Sequence, residues 1–345
     1  MNVLVADCGG GSGVNTVRAL RCAGHAVTGT AVSRLYLERS RPDSAVVLRD
    51  RSRLPKLAAE ADVAIAQSGR AALALVGVGN ALLPSEGALA IARSKVETKA
   101  RLREAGISTT EEFALQCPSD AGAAIERFGL PLWVRASVGC GGAKAMRADS
   151  AEQARLAIIC SPAGLIAEPF LPGKIASWCA LYGCKGNLLG SVSMIREEFL
   201  YYTLFPGGVG PVASVSITTQ EPALQAIGAA AVLAVNEVPR GFATVDMRQS
   251  ASGDWIVTEV ELGCPFPSTD LLAELGANFP AAYCEAVVGR EASLAEPEPR
   301  WCLLRGVDCE PALVKTDDLE GLQATAFQED HSDTSDCLHR PVGGG

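Results

Sequence analysis

Residues 1–90 alternate apolar strands with helices, and this alternation constrains the fold more than any other feature of the chain. Val3–Ala6 reads as a strand, followed by a turn holding Gly9, Gly10, Gly11 and Gly13. A helix runs from about Val14 to Cys22, Gly24 closes it, and Ala26–Ala31 begins a second strand. Ala61–Ala66 reads as a third strand and Ala71–Val78 as a further helix. Strand–helix–strand order implies a parallel sheet with right-handed crossovers. The GGGSG turn also invites a dinucleotide reading, and an NAD-linked oxidoreductase using the amino-terminal residues alone is one alternative. A tight strand-to-helix turn needs glycine whatever its ligand, however, and Ser33 and Arg34 follow the second strand where an acidic ribose partner would stand.

Length and charge narrow the classes. A chain of 345 residues with 48% hydrophobic and 20% charged residues can bury two or three cores. A net charge of −9 argues against a nucleic-acid partner. No apolar run reaches bilayer-spanning length, and the longest, Ala226–Val235, reads as a buried helix. MNVLVADCGGG reads as a strand entering a turn rather than a leader, so a cytoplasmic protein without membrane partners is expected. The twelve cysteines include no Cys-x-x-Cys pair, and with three histidines they read as reduced thiols, not a disulfide or zinc framework.

A second segment starts near Ser94. Lys95–Ala105 reads as a helix ended by Gly106, Ser119 as the cap of a helix over Asp120–Phe128, and Leu132–Arg135 as a strand. Ala151–Ile159 is helical and Leu165–Glu168 extended, and Pro169–Gly173 forms a linker of fixed path. Ser177–Tyr182, Leu188–Ile195 and Val212–Ile217 read as antiparallel strands, then Pro222–Val235 as a long apolar helix. Phe242–Arg248 and Trp255–Glu261 form a hairpin, and Asp270–Leu275 is read as the last helix. After Gly289 the chain is proline-rich and acidic, and residues 328–345 have a disordered composition.

Two stretches carry chemistry. WVRASVGCGGAK, Trp133 to Lys144, is a strand ending in Arg135 followed by a Ser/Gly loop and a lysine. Glycines let backbone N–H groups approach phosphate oxygens, and the cations supply counter-charge. TEVE, Thr258–Glu261, delivers Glu259 and Glu261 on one strand face. Paired carboxylates beside a phosphate loop suit a Mg²⁺–nucleotide site. Each piece alone has a plainer reading: an ordinary turn, a solvated hairpin face, a surface charge. The loop also lacks the Gly-Lys-Ser/Thr of a P-loop.

The order of the pieces resembles the ATP-grasp ligases, specifically the carbamoyl-phosphate-synthase large chain and its single-unit relatives. VLVADCGGGSGVNTVRAL, SKVETKARLREAGIST, FGLPLWVRASVGCGGAKAM, IAEPFLPG, GFATVDM, VTEVE and LGANFP carry the resemblance, which spans about Asn2 to Gly289. It implies an α/β and α+β architecture: a pre-ATP-grasp Rossmann-like parallel sheet over 1–93, then a two-lobed ATP-grasp domain. The first lobe with the glycine loop would cover 94–172 and the second with the metal site 173–290. Residues 291–345 would be a partly disordered extension. By position, Lys95 and Arg135 would contact ATP phosphates. The loop containing Ser137, Gly139, Gly141 and Gly142 would close over them with Lys144. Glu168, Pro169, Phe170 and Leu171 would frame adenine. Asp246, Glu259 and Glu261 would hold Mg²⁺, with Mn²⁺ as an alternative.

The chain departs from that pattern at Ser94, where Asp is usual, and at Ala136, where Pro often stands. Ile175 replaces a ribose-binding glutamate, Glu261 an Asn, and Gly263 an Arg that steadies the transferred phosphate. Arg196 or Arg248 would take that arginine's catalytic place. The resemblance implies an ADP-forming carboxylate–amine ligase joining small molecules, amino acids by expectation, through an acyl phosphate. Such chemistry needs no nucleophilic side chain. Arg196 could instead hold a substrate carboxylate, with Tyr201 or Tyr202 as a wall and Cys264–Pro267 at the border; a surface excursion is the competing reading. No second copy of the unit occurs, which argues against carbamoyl phosphate synthesis. A homodimer through the first domain is a further expectation. A non-catalytic ATP-binding scaffold with a degenerate site is the remaining alternative.

Overall fold

Four parallel strands carry the amino-terminal unit: β1 (Asn2–Ala6), β2 (Ala26–Ala31), β3 (Ser44–Val47) and β4 (Val63–Ala66), in the order β3-β2-β1-β4. The structure, a computed structural model, describes residues 1–139, 145–161, 164–199, 213–305 and 311–317. Helices α1 (Gly11–Cys22), α2 (Arg34–Ser40) and α3 (Leu54–Ala59) make the crossovers, and α4 (Gly69–Leu75) follows the last strand. Ala61–Ala66 therefore contains the fourth strand, not the third. The sequence reading passed over α2, β3 and α3 because β3 is a short, largely exposed edge strand and α2 is charged and only two turns long. Glycines in the first turn serve packing. A Cβ on Gly9 would lie 2.4 Å from the Tyr36 side chain, and one on Gly13 would lie 2.3 Å from the Cys8 carbonyl oxygen.

Helices α5 (Glu86–Arg93) and α6 (Lys95–Glu104) lead into the first lobe. Its four-stranded sheet runs β5 (Phe113–Leu115), β8 (Leu165–Pro169), β6 (Leu132–Ala136), β7 (Met146–Ala148), all antiparallel. Helices α7 (Asp120–Phe128) and α8 (Ala151–Cys160) cover it and enclose a small core around Leu132, Val134 and Ala167. Ser119 precedes α7 but makes no side-chain cap. The Asp120 carboxylate accepts from the backbone N–H groups of Gln116 and Cys117 instead, at 2.7 and 2.9 Å.

The second lobe is one seven-stranded sheet. It comprises β9 (Ile175–Tyr182), β10 (Leu188–Phe199), β11 (Ala213–Thr219), β12 (Gly241–Gln249), β13 (Trp255–Leu262), β14 (Trp301–Leu304) and β15 (Ala312–Lys315), in the order β13-β12-β9-β10-β11-β14-β15. The last two strands come from the region read as an extension; β14 pairs with β11. Helix α9 (Pro222–Val235) backs the sheet. Its run of alanines favours helix, Pro222 fits the first turn, and Leu224, Ala231, Val232 and Val235 face inward. Gly228 lets it approach: a Cβ there would lie 2.4 Å from the buried Trp178 ring.

Two short helices, α10 (Thr269–Glu274) and α11 (Phe279–Val287), dock the second lobe on the amino-terminal unit. The sequence reading stopped at the first of them. Asn278 caps α11 by accepting from Ala281 N–H at 3.0 Å, and its amide reaches the Ala19 carbonyl at 2.9 Å. The buried Tyr283 hydroxyl accepts from Leu82 N–H at 2.6 Å and donates to the Ala64 carbonyl at 3.1 Å. Among the described residues, no helix is long and apolar enough to cross a membrane.

Candidate active site

The lobes and the amino-terminal unit enclose a cleft of about 890 Å³. One wall is cationic. Ser94 caps α6 and bridges to Val138, and Lys95 N–H donates to the Ser137 carbonyl at 2.9 Å. That corner fixes the start of the glycine loop against α6. The Lys95 ammonium donates to the Gly139 carbonyl at 2.7 Å and to Glu259 at 3.0 Å. Gly139 takes φ +124°, which a residue with a side chain rarely adopts. Gly141, Gly142 and Lys144 lie outside the described residues, as do Tyr201 and Tyr202.

Arg135 sits at the floor of this wall. Its Nε and one terminal nitrogen donate to Glu168 at 2.5 and 3.0 Å; that same nitrogen donates to the Thr258 carbonyl at 2.9 Å. Its other terminal nitrogen is 3.8 Å from Glu259. Lys99 completes a buried triad, pairing with Glu168 and with Thr110. Burial by itself would raise the Glu168 carboxyl, but the charges of Arg135 and Lys99 outweigh it and hold the group below its ordinary range. Burial pulls the Lys99 ammonium down, and Glu168 only partly offsets this. The Glu168 carboxylate is thus engaged by the protein, leaving backbone at the linker for a ligand. Lys99 had not been singled out from sequence. Its signal was there: it stands four residues after Lys95, on the same helix face.

The opposite wall is acidic. Asp246 on β12 and Glu259 on β13 are cross-strand partners. Asp246 accepts from the Ser177 hydroxyl at 2.9 Å and lies 3.0 Å from Arg196. Glu261 makes no ion pair or hydrogen bond among the described residues. It opens onto the cleft but is closely surrounded by protein. Burial, then the charges of Glu259 and Asp246, push its carboxyl up to about 8. Because its surface meets cleft water, the two neighbouring carboxylates are the firmer cause of that direction. As the side chains stand, no three acidic, histidine or cysteine groups among the described residues gather closely enough to hold an ion. Asp246 turns to Arg196 and Glu259 to Lys95. An unpartnered, mutually repelling carboxylate beside two others is nonetheless a donor set suited to a hard cation.

The linker end is aromatic. Trp133 and Phe170 lie 6.4 Å apart, with Leu171, Ile175 and Met247 beside them along the cleft. The Arg248 guanidinium stacks over Phe170 at 4.6 Å, and that of Arg147 at 4.7 Å. Burial, with Arg147 adding to it, draws Arg248 down to about 10. Arg196 and Arg248 therefore serve different parts of the cleft: Arg196 joins the carboxylates, and Arg248 joins the linker. Gly263 takes φ +83°, and a Cβ there would lie 3.2 Å from Leu89, so the backbone at this point is shaped for glycine.

The amino-terminal unit also lines the cleft, with Ser12, Arg51, Gln67, Ser68 and Arg70, none singled out from sequence. They follow the carboxyl ends of β1 and β4 or flank them, where parallel sheets place their ligands. Arg51 and Ser68 both bond Asp7, at 2.8 and 2.5 Å, and Asp7 takes φ +61°.

Two lobes gripping a cleft behind a Rossmann-like unit define the ATP-grasp fold, and this chain has it. Solved structures agree. N5-carboxyaminoimidazole synthetase from Staphylococcus aureus, complexed with ADP, superposes with a TM-score of 0.72 at 16% identity, over 95% of this chain and 86% of that one. Carboxyaminoimidazole ribonucleotide synthase from Aspergillus clavatus, complexed with ATP, gives 0.69 at 18%, over 88% and 81%. L-amino acid ligase from Bacillus licheniformis gives 0.64 at 17%, over 87% and 78%. No protein-family model and no curated protein sequence matches the chain.

Proposed function

We propose that the protein is an ATP-dependent, ADP-forming ligase that joins a small carboxylate to a small amine, with amino acids as the substrate class. The observation that carries this reading is the meeting of opposite walls: Lys95 and Arg135 from the first lobe against Asp246, Glu259 and Glu261 from the second. The cationic wall suits phosphate oxygens, and the acidic wall suits their counter-ion. A fold shared with nucleotide-bound synthetases and with an L-amino acid ligase supports it.

In this reading Lys95 and Arg135 hold the phosphates, and the loop through Ser137 and Gly139 covers them. A divalent cation, held by Asp246, Glu259 and Glu261, supplies charge neutralisation at the phosphate oxygens when bound. Lys95 and Arg196, now paired with Glu259 and Asp246, would be free to face a transferring phosphoryl group if those carboxylates turned to such an ion. The substrate carboxylate takes the phosphoryl group, the amine displaces phosphate, and an amide results. The residues position and neutralise; none acts as a nucleophile.

The test is ADP and phosphate release with Mg²⁺–ATP across pooled amino acids, with Glu259→Ala as control. Release that requires two substrates and vanishes in the variant is expected. ATP binding without release over a wide panel of carboxylates and amines would favour a scaffold instead.

A further inference from the structure

We infer that Arg248 recognises the sugar of the bound nucleotide, donating from its guanidinium to a ribose hydroxyl oxygen. This rests on the nucleotide reading above. The Arg248 side chain lines the cleft, and its Nε is shut off from solvent without a hydrogen-bond partner. Among the described residues nothing accepts from any of its N–H groups, and its guanidinium rests on the Phe170 ring. Arg147, the other guanidinium on that ring, is paired with Asp149 at 2.7 Å. A half-buried guanidinium with its donors unspent is costly, and such groups mark places where a ligand completes the bonding.

Its position selects the part of the ligand. Arg248 and Asp246 stand two residues apart on β12, opposite Ile175 and Ser177 on β9. On the facing lobe Trp133 and Arg135 are likewise two apart on β6. Each step is about 7 Å along a strand. The cleft therefore has an inner tier, with Arg135 and Asp246, and an outer tier, with Trp133, Phe170 and Ile175. Phosphates belong with the inner cations and a flat base with the outer aromatic and apolar surfaces, so the sugar spans the two. Among the described residues Arg248 is the guanidinium of the outer tier whose N–H groups have no acceptor, and it offers a charged donor there. Glu168, the nearby carboxylate, is already bound by Arg135 and Lys99.

Calorimetric titration of the full chain with Mg²⁺ and ATP, 2′-deoxy-ATP or 3′-deoxy-ATP tests this in wild type, Arg248→Met and Arg248→Lys. Wild type should bind at least one deoxy analogue about 10-fold or more weakly than ATP, the range for a hydrogen bond from a charged donor. Arg248→Met should bind ATP about as weakly as wild type binds that analogue, and should no longer distinguish the two. Arg248→Lys keeps a cation over Phe170 and should retain part of the discrimination, which separates a sugar contact from loss of ring packing. Equal binding of all three nucleotides by wild type, or undiminished discrimination in Arg248→Met, overturns the inference. Failure of wild type to bind ATP at all would refute the nucleotide reading itself.

Discussion

The Lys95 ammonium lies 3.0 Å from the Glu259 carboxylate, joining the first turn of α6 to β13 across the cleft. The two are 164 residues apart in sequence. Both are substantially buried, so each neutralises a charge the other would leave exposed to a low-polarity surrounding. The pair closes the cleft at the place where phosphates and a cation would meet. Glu259→Ala should therefore lower turnover by about 100-fold or more, the scale for removing one charged contact from a developing transition state. Phosphate release over a magnesium titration would check it, and a raised magnesium requirement should accompany the loss in Glu259→Gln. Retention of full turnover by both variants would remove Glu259 from the chemistry.

The Arg135–Glu168–Lys99 triad makes a separate prediction about stability. Glu168→Gln leaves two buried cations without their carboxylate, and breaking a buried pair this way costs about 3–5 kcal/mol. The pH dependence follows from the direction of the shift. The folded carboxyl is held below its unfolded value, so its stabilisation is present above the ordinary carboxylate range and is lost as pH falls through the folded value. Urea denaturation of both proteins should show a large gap near neutrality that narrows on acidification. A gap that is constant with pH would contradict an ionised Glu168.

Arg196 lies 3.0 Å from Asp246, and in the proposed ligase it would reach a phosphoryl group if that carboxylate turned to a cation. Arg196→Met should lower kcat by roughly 100-fold with little change in the KM for ATP, because the contact matters when charge develops rather than when ATP binds. Arg196→Lys should recover part of the rate. A rise in the KM of the carboxylate substrate alone, with kcat intact, would instead assign Arg196 to substrate holding.

Tyr283→Phe should destabilise without touching the chemistry. The variant strips Leu82 N–H of its acceptor in a buried setting, which costs about 1–3 kcal/mol. Chemical denaturation measures the loss, and the activity per folded molecule should match wild type. A variant with unaltered stability would mean that water replaces the hydroxyl between the amino-terminal unit and α11.

Much of the fold was legible where local chemistry is strong. Helix α9 emerged with its observed bounds because alanines, an early proline and an unbroken apolar run all favour one state. The parallel start and the acidic strand were readable for a related reason, since turn glycines and alternating residues act within a few positions. Helices α5 and α11 were missed. The first is a short helix directly abutting α6, and the second begins inside a Gly–Asn–Pro stretch that resembles a loop until Asn278 is seen capping it.

The sequence by itself determined the strands and helices with strong local patterns, such as β1, α1, β2 and α9, and the residue types at the glycine-bearing turns and on the acidic strand. The tertiary structure alone decided which of those charges meet. Arg135 and Glu168 are 33 residues apart, and both are singled out in the sequence as ligand contacts, yet folding joins them to each other and to Lys99. Arg196 and Arg248 look interchangeable in sequence, but strand register sends one to Asp246 and the other to Phe170. Local propensity acts over a few residues, whereas ion pairing and burial depend on distances that exist only after the sheets have closed around the cleft.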